Sequence, residues 1–134
     1  MPTKRIEFPG HSGAQLAARL DLPDGPLVAT ALFAHCFTCG KDIPAARRIA
    51  ARLSALGVAV LRFDFTGLGE SDGDFSTSGF SSNVSDLKAA VEWMSANTRP
   101  VDLIIGHSLG GAATVVAAAD LSNVKAVVTL GAPS

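Results

Sequence analysis

LIIGHSLGG, residues 103–111, joins an apolar run to a stretch of small residues that extends to position 121. The run predicts a buried strand over Val101–Ile105, and the alanine-rich stretch predicts a helix over Leu109–Leu121. Small side chains allow such a helix to pack closely against a sheet. Ser108 is therefore expected at the sharp junction between a strand and a helix.

The glycines around Ser108 suit this junction. Gly106 and Gly110 lie two residues before and after the serine, where a sharp turn leaves no space for a Cβ. The N-terminus of the following helix brings N–H groups and partial positive charge beside the hydroxyl. A dinucleotide-binding turn needs G-x-G-x-x-G, which this turn lacks. The pattern G-x-S-x-G between strand and helix instead predicts that Ser108 is a nucleophile.

The rest of the chain alternates strand-like apolar runs with helical stretches, which predicts an α/β fold with a mostly parallel sheet. Two further helices are expected, one capped by Asp42 and ended by Gly57, the other running from a cap at Ser82 to Asn97. Their inward faces are Ala46, Ile49, Ala50 and Leu53 in the first helix and Val84, Leu87, Val91 and Met94 in the second. The other strands are predicted over Thr3–Phe8, Gln15–Leu22, Leu27–Ala34, Val58–Phe63 and Val124–Leu130, and residues 66–79 are predicted to form a loop.

Composition limits the classes of function. A chain of 134 residues suits a single domain, 1–134, and 48% hydrophobic residues with a net charge of -1 exclude a disordered chain. The sequence has no stripe of basic residues that could bind a nucleic acid. None of its apolar runs is long enough to span a membrane, and its N-terminus lacks the apolar core of a signal peptide. The sequence therefore predicts a cytoplasmic protein that binds neither nucleic acid nor membranes.

Three motifs resemble the α/β-hydrolase family in its order and spacing, and together they cover essentially the whole chain. Residues 34–38, AHCFT, look like the His-Gly-Phe-Thr oxyanion segment of that family. Residues 62–71, RFDFTGLGES, resemble its Asp-x-x-Gly-x-Gly-x-Ser loop, and residues 106–111 resemble its nucleophile elbow. The resemblance implies the N-terminal half of an α/β-hydrolase fold, a sheet of about six strands in the order 1-2-4-3-5-6.

Within that family, the chain is most similar to feruloyl/cinnamoyl-esterase-like hydrolases. It is closer still to the hydrolase part of bacterial fusion proteins that carry an OsmC-like domain, through residues 35–42, HCFTCGKD. The resemblance implies a serine esterase for a small-molecule ester, with no cofactor. Ser108 would attack the acyl carbonyl, and the backbone N–H groups of Phe37 and Leu109 would hold the oxyanion. His107 would pack under the elbow, and Cys36 departs from the glycine that is usual in the family.

The family places its catalytic acid and histidine after the serine, and here the residues after Ser108 include no histidine and one carboxylate, Asp120. His35, at the end of the third strand, is a candidate base, although the family favours a loop-shaping role for it. Asp64 is interpreted as a loop-capping residue rather than a catalytic acid. We therefore expect a fragment of a longer enzyme, weak or inactive as an esterase by itself.

Two alternatives stay open. Cys36 and Cys39 form a C-x-x-C pattern, which suits a redox or binding module, although two small loop residues are the preferred interpretation. With His35 as the only neighbouring ligand, the two cysteines are too few for a structural zinc site, and no metal is expected. The other alternative is a homodimer formed through strand 124–130, which no later strand covers. Pairing about a two-fold axis would put the two nucleophiles on opposite sides, so neither copy could lend a base to the other.

Overall fold

The computed structural model describes residues 3–10, 13, 15–34, 41, 44–64, 71, 80–107, 114, 117–119, 121 and 124–130. The strands are β1 (Thr3–Pro9), β2 (Gln15–Asp21), β3 (Ala29–Ala34), β4 (Val58–Phe63), β5 (Leu103–His107) and β6 (Ala126–Leu130). The helices are α1 (Pro44–Ala55), between β3 and β4, and α2 (Phe80–Asn97), between β4 and β5.

The strands form one sheet in the order β1-β2-β4-β3-β5-β6. β1 pairs with β2, and β2 with β4, in antiparallel fashion, whereas β4, β3, β5 and β6 run parallel. This is the order predicted from the three motifs, so the α/β-hydrolase fold class is confirmed. The parallel strands all end at one edge of the sheet, where Ala34 lies between Phe63 and Gly106.

Side chains alternate between two cores on opposite faces of the sheet, because successive residues of a strand point in opposite directions. In β3, Leu32 and Ala34 pack in the core on the face of the sheet that α2 covers, and Ala31 and Phe33 pack in the core on the face that α1 covers. The aromatic ring of Phe8 lies 6.0 Å from that of Phe63 and 6.3 Å from that of Trp93, centroid to centroid. The predicted inward faces of both helices are confirmed, with Ile49 and Leu53 partly buried and the other members buried.

Several predicted boundaries were wrong by one to three residues. β3 begins at Ala29 rather than Leu27, because the Val28 N–H donates to the Gly57 carbonyl (2.8 Å) and its side chain is 65% exposed. β5 begins at Leu103 rather than Val101, because an Asp102 carboxylate oxygen replaces a backbone acceptor for the Thr30 N–H (3.1 Å). β6 begins at Ala126 rather than Val124.

The start of α2 also differs from its prediction. The helix begins at Phe80, so the predicted cap Ser82 lies inside its first turn. The predicted cap Asp42 lies outside the described residues, and so do most of the predicted loop 66–79 and most of the predicted helix Leu109–Leu121.

β6 forms the outer edge of the sheet. Among the described residues, its only partner strand is β5. Val127 and Val128, on opposite faces of the strand, are 38% and 44% exposed. The expected exposed edge is therefore present, whereas pairing of two copies through it stays a prediction. Neither α1 nor α2 combines the length and the apolar character that crossing a bilayer requires.

Gly57→Ala is expected to lower the free energy of unfolding by about 1–3 kcal/mol. Gly57 has a φ of 91°, and an added Cβ would lie 2.8 Å from Cγ2 of Val28. Urea denaturation measures the effect. Gly25→Ala is the matched control, because its added Cβ would meet nothing within 4 Å. Equal stability of both variants would contradict the prediction.

Candidate functional site

The candidate site lies where β3 and β5 end side by side. The chain leaves β3 toward α1 and β4, on one side, and it leaves β5 toward β6, on the other. Adjacent parallel strands whose connections diverge in this way form a crevice at their carboxyl ends, the usual ligand site of open α/β sheets. Ala34 pairs with Gly106, so residues 35–40 and Ser108 come directly after neighbouring positions in the sheet.

Two of the predicted site residues lie within the described part of the chain. Gly106 is buried in β5 and pairs with Ala34 on one side and Thr129 on the other. His107 ends β5 opposite Leu130 and is half-buried. Its Nδ1 atom is buried and has no hydrogen-bond partner among the described residues. None of them therefore makes the Nδ1 contact by which an acid orients a catalytic histidine.

The other predicted site residues lie outside the described residues: Ser108, Leu109, Gly110, His35, Cys36, Phe37 and Cys39. Their roles, and the redox alternative for the two cysteines, stay predictions. Within the described ranges, no group of three His, Cys, Asp or Glu side chains could hold a metal ion.

A buried ion pair that the sequence analysis missed lies at this edge. Lys41 directly follows residues 35–40, and Asp64 directly follows β4. The Lys41 Nζ donates to Asp64 Oδ2 (2.8 Å) and the Lys41 backbone N–H donates to Asp64 Oδ1 (2.8 Å), so both carboxylate oxygens are engaged by one residue. The side chains are 2% and 1% exposed. Asp64 thus caps a loop, as interpreted from the sequence, but through a charge partner that was not foreseen.

Arg62 extends the ion pair into a buried network. Its Nη1 donates to the Lys41 carbonyl (2.8 Å), while its Nε and Nη2 donate to the two carboxylate oxygens of Asp21 (2.7 and 3.2 Å). The four charged side chains balance in sign. Burial of charged groups is tolerated when they are paired and hydrogen-bonded in this way.

Ser71 closes the loop that follows β4. Its hydroxyl donates to the Asp64 carbonyl (2.6 Å) and accepts the Ala17 N–H (2.8 Å). The Asp64 N–H in turn donates to the Ala17 carbonyl (2.9 Å). Both ends of the loop are therefore held against β2, next to Asp64.

The chain is similar to several known proteins. Residues 36–133 match the Hydrolase_4 family model, described as serine aminopeptidase, S33. The structure is similar to the esterase domain of a Rhodothermus marinus protein, at 50% identity and a TM-score of 0.81, covering 99% of this chain and 51% of that one. A search of curated proteins finds no match.

Two further solved structures share the fold. An α/β serine hydrolase without a lid from Xanthomonas campestris is 27% identical, with a TM-score of 0.81 over 96% of this chain and 62% of that one. A Butyrivibrio proteoclasticus protein with ferulic acid bound is 28% identical, with a TM-score of 0.81 over 91% of this chain and 50% of that one. This chain thus spans about half to three-fifths of the length of these relatives.

Proposed function

Because the chain belongs to the serine aminopeptidase S33 family, we propose that it is the nucleophile-bearing part of a serine hydrolase that cleaves carboxylic esters or thioesters through Ser108. The observation that carries this proposal is the pairing of Ala34 with Gly106 at the divergence of β3 and β5. Because of this pairing, residues 35–40 and Ser108 follow two adjacent strand ends, at the edge where open α/β sheets bind ligands.

In the proposed reaction, the Ser108 Oγ attacks the acyl carbon and forms an ester to the protein. The hydroxyl proton passes to a base, which returns it to the departing alcohol or thiol, and water then releases the acid. The backbone N–H groups of Phe37 and Leu109 donate to the oxygen that gains negative charge. These donors come from the two segments that follow Ala34 and His107.

Esters are favoured over peptides as substrates by the comparisons. The structure that is 50% identical to this chain is an esterase domain, and another relative holds ferulic acid, an aromatic carboxylic acid. Small acyl esters, including esters of aromatic acids, are therefore the substrates to test first.

The proposed reaction takes its base and its acid from outside residues 1–134, with His35 kept as the less favoured base. No histidine follows Ser108, and the three histidines of the sequence are His11, His35 and His107. None of the described residues forms a hydrogen bond with His107 Nδ1, and His11 and His35 lie outside the described part of the chain. A serine hydroxyl without a base is a poor nucleophile, so slow acylation and slow release of the acid are expected from this chain.

Incubation with p-nitrophenyl acetate tests the proposal. Slow release of nitrophenolate is expected, on the order of 10³-fold faster than the water reaction or less. Because release of the acid is slow, an acetyl group should accumulate on Ser108, which peptide mass mapping detects. Ser108→Ala should carry no such group, whereas Ser95→Ala, a change at an exposed serine on α2, should be acetylated like the wild type.

Two results would contradict parts of this proposal. Nitrophenolate release and acetylation that are unchanged in Ser108→Ala would show that Ser108 is not the nucleophile. Rapid steady-state turnover that depends on Ser108 would show that a base is already present among residues 1–134.

A further inference from the structure

Every polar group of Lys41 forms a hydrogen bond. Its N–H and Nζ donate to the two oxygens of Asp64, and its carbonyl accepts from Arg62. Holding the N–H and the carbonyl of one residue fixes the orientation of the peptide groups on both sides of it. The chain that leaves residues 35–40 is therefore fixed in direction as well as in position.

The start of the same segment is equally fixed. Ala34 is fully buried and lies between Phe63 of β4 and Gly106 of β5. Residues 35–40 thus run between two immobilised ends, one set by the sheet ladder and the other by the buried ion pair. The ladder is common to all strands, whereas the Lys41 end depends on two charged side chains.

A buried ion pair is a poor means of gaining stability alone. The desolvation cost of the two ions offsets much of their attraction, and well-packed apolar side chains of similar volume often serve as well. An apolar pair could not, however, orient the Lys41 N–H through a directional hydrogen bond. The directional contacts at Asp64 therefore favour a geometric role over a purely stabilising one.

We propose that Lys41 is a positioning residue, whose ion pair with Asp64 sets the path of residues 35–40 and through it the Phe37 N–H that faces the developing oxyanion. The link to Phe37 rests on the proposed function. The Asp64 carbonyl also accepts a hydrogen bond from the Ser71 hydroxyl. Asp64 therefore holds both the end of the segment before Lys41 and the end of the loop that follows β4.

The two cysteines of the chain report on this segment directly, because Cys36 and Cys39 both lie within it. Their alkylation by iodoacetamide in the reduced protein measures how accessible the segment is to the reagent in each variant. The test variant is Lys41→Met/Asp64→Leu, which removes both charges and the side-chain oxygen that accepts the backbone N–H of residue 41. The matched control is Lys125→Met/Asp102→Leu, the same changes at an ion pair whose lysine is 79% exposed and whose aspartate accepts the Thr30 N–H.

The test variant is expected to alkylate about tenfold faster or more than the wild type, and the control within about twofold, since local opening free energies fall when few contacts remain. Acylation of Ser108 by p-nitrophenyl acetate should slow in the test variant with KM unchanged, because an oxyanion donor acts in the transition state. Alkylation at the wild-type rate in a folded test variant would overturn the proposal, and so would faster alkylation with unchanged acylation.

Lys41→Arg keeps the inference falsifiable should the double variant fail to fold. The guanidinium preserves the positive charge but cannot reproduce the single Nζ contact. Restored urea stability with alkylation still faster than in the wild type supports positioning, whereas wild-type values of both contradict it. The alkylation readout does not require Ser108 to react. Failure of the Ser108→Ala test would therefore refute the proposed function without affecting the result on opening of the segment.

Discussion

Lys41→Met is expected to lower the free energy of unfolding by about 3–5 kcal/mol at neutral pH, because it removes the ammonium that is paired with the buried Asp64 carboxylate. Asp64 is 1% exposed, so water cannot replace the lost Nζ. The backbone N–H of residue 41 still donates to the carboxylate, but a neutral donor does not replace the charge of the lost ammonium.

Urea denaturation followed through Trp93, the single tryptophan, measures this effect. Lys125→Met is the control, since its Nζ lies 3.5 Å from Asp102 Oδ1 and is largely in solvent; a change of about 0–1 kcal/mol is expected there. A loss in Lys41→Met no larger than in this control would contradict the claim that the pair is buried and closely coupled.

The sheet order could be predicted because the pattern of strands, turns and glycines resembles one family in three places. The helix faces could be predicted because Ala46, Ala50, Leu87 and Met94 fall at helical spacing, and all four are buried. The strand ends could not, because local hydrophobicity does not report exposure. Val28 has the side chain of a strand residue but lies at the open end of the sheet, bonded to the turn at Gly57.

The pairing of Lys41 with Asp64 was beyond prediction for a different reason. Both residues are visible in the sequence, at the ends of two motifs, but their contact spans 23 positions. It exists because β3 and β4 run parallel and adjacent, so that the segments after them leave the same edge. The sequence does show a lysine and an aspartate after two adjacent parallel strands. Charge alone, however, does not tell whether such a lysine and aspartate form a buried ion pair or lie exposed.

His107 shows how far the described residues reach toward the predicted site. It lies half-buried at the end of β5, whereas its packing under the elbow stays a prediction, because residues 108–110 lie outside the described residues. The placement of Gly106 between Ala34 and Thr129 agrees with a strand that leads directly into Ser108. The chemistry assigned to Ser108, Phe37 and Leu109 stays a proposal.

Added imidazole is expected to raise the rate at which this chain hydrolyses p-nitrophenyl acetate by about tenfold or more, since a positioned base contributes about 10²–10⁴-fold and a diffusing one only part of that. The physical reason is that the proposal gives the elbow a hydroxyl and oxyanion donors but takes the base from outside residues 1–134. A free imidazole that enters the crevice can take the Ser108 proton and later activate water for release of the acid.

The most direct measurement of the central claim is therefore this rate as a function of imidazole concentration, with Ser108→Ala as the reference for the reaction of imidazole with the ester. The proposal predicts a saturable increase above that reference in the wild type, accompanied by faster loss of the acetyl group from Ser108. Identical imidazole dependence in the wild type and Ser108→Ala would contradict it.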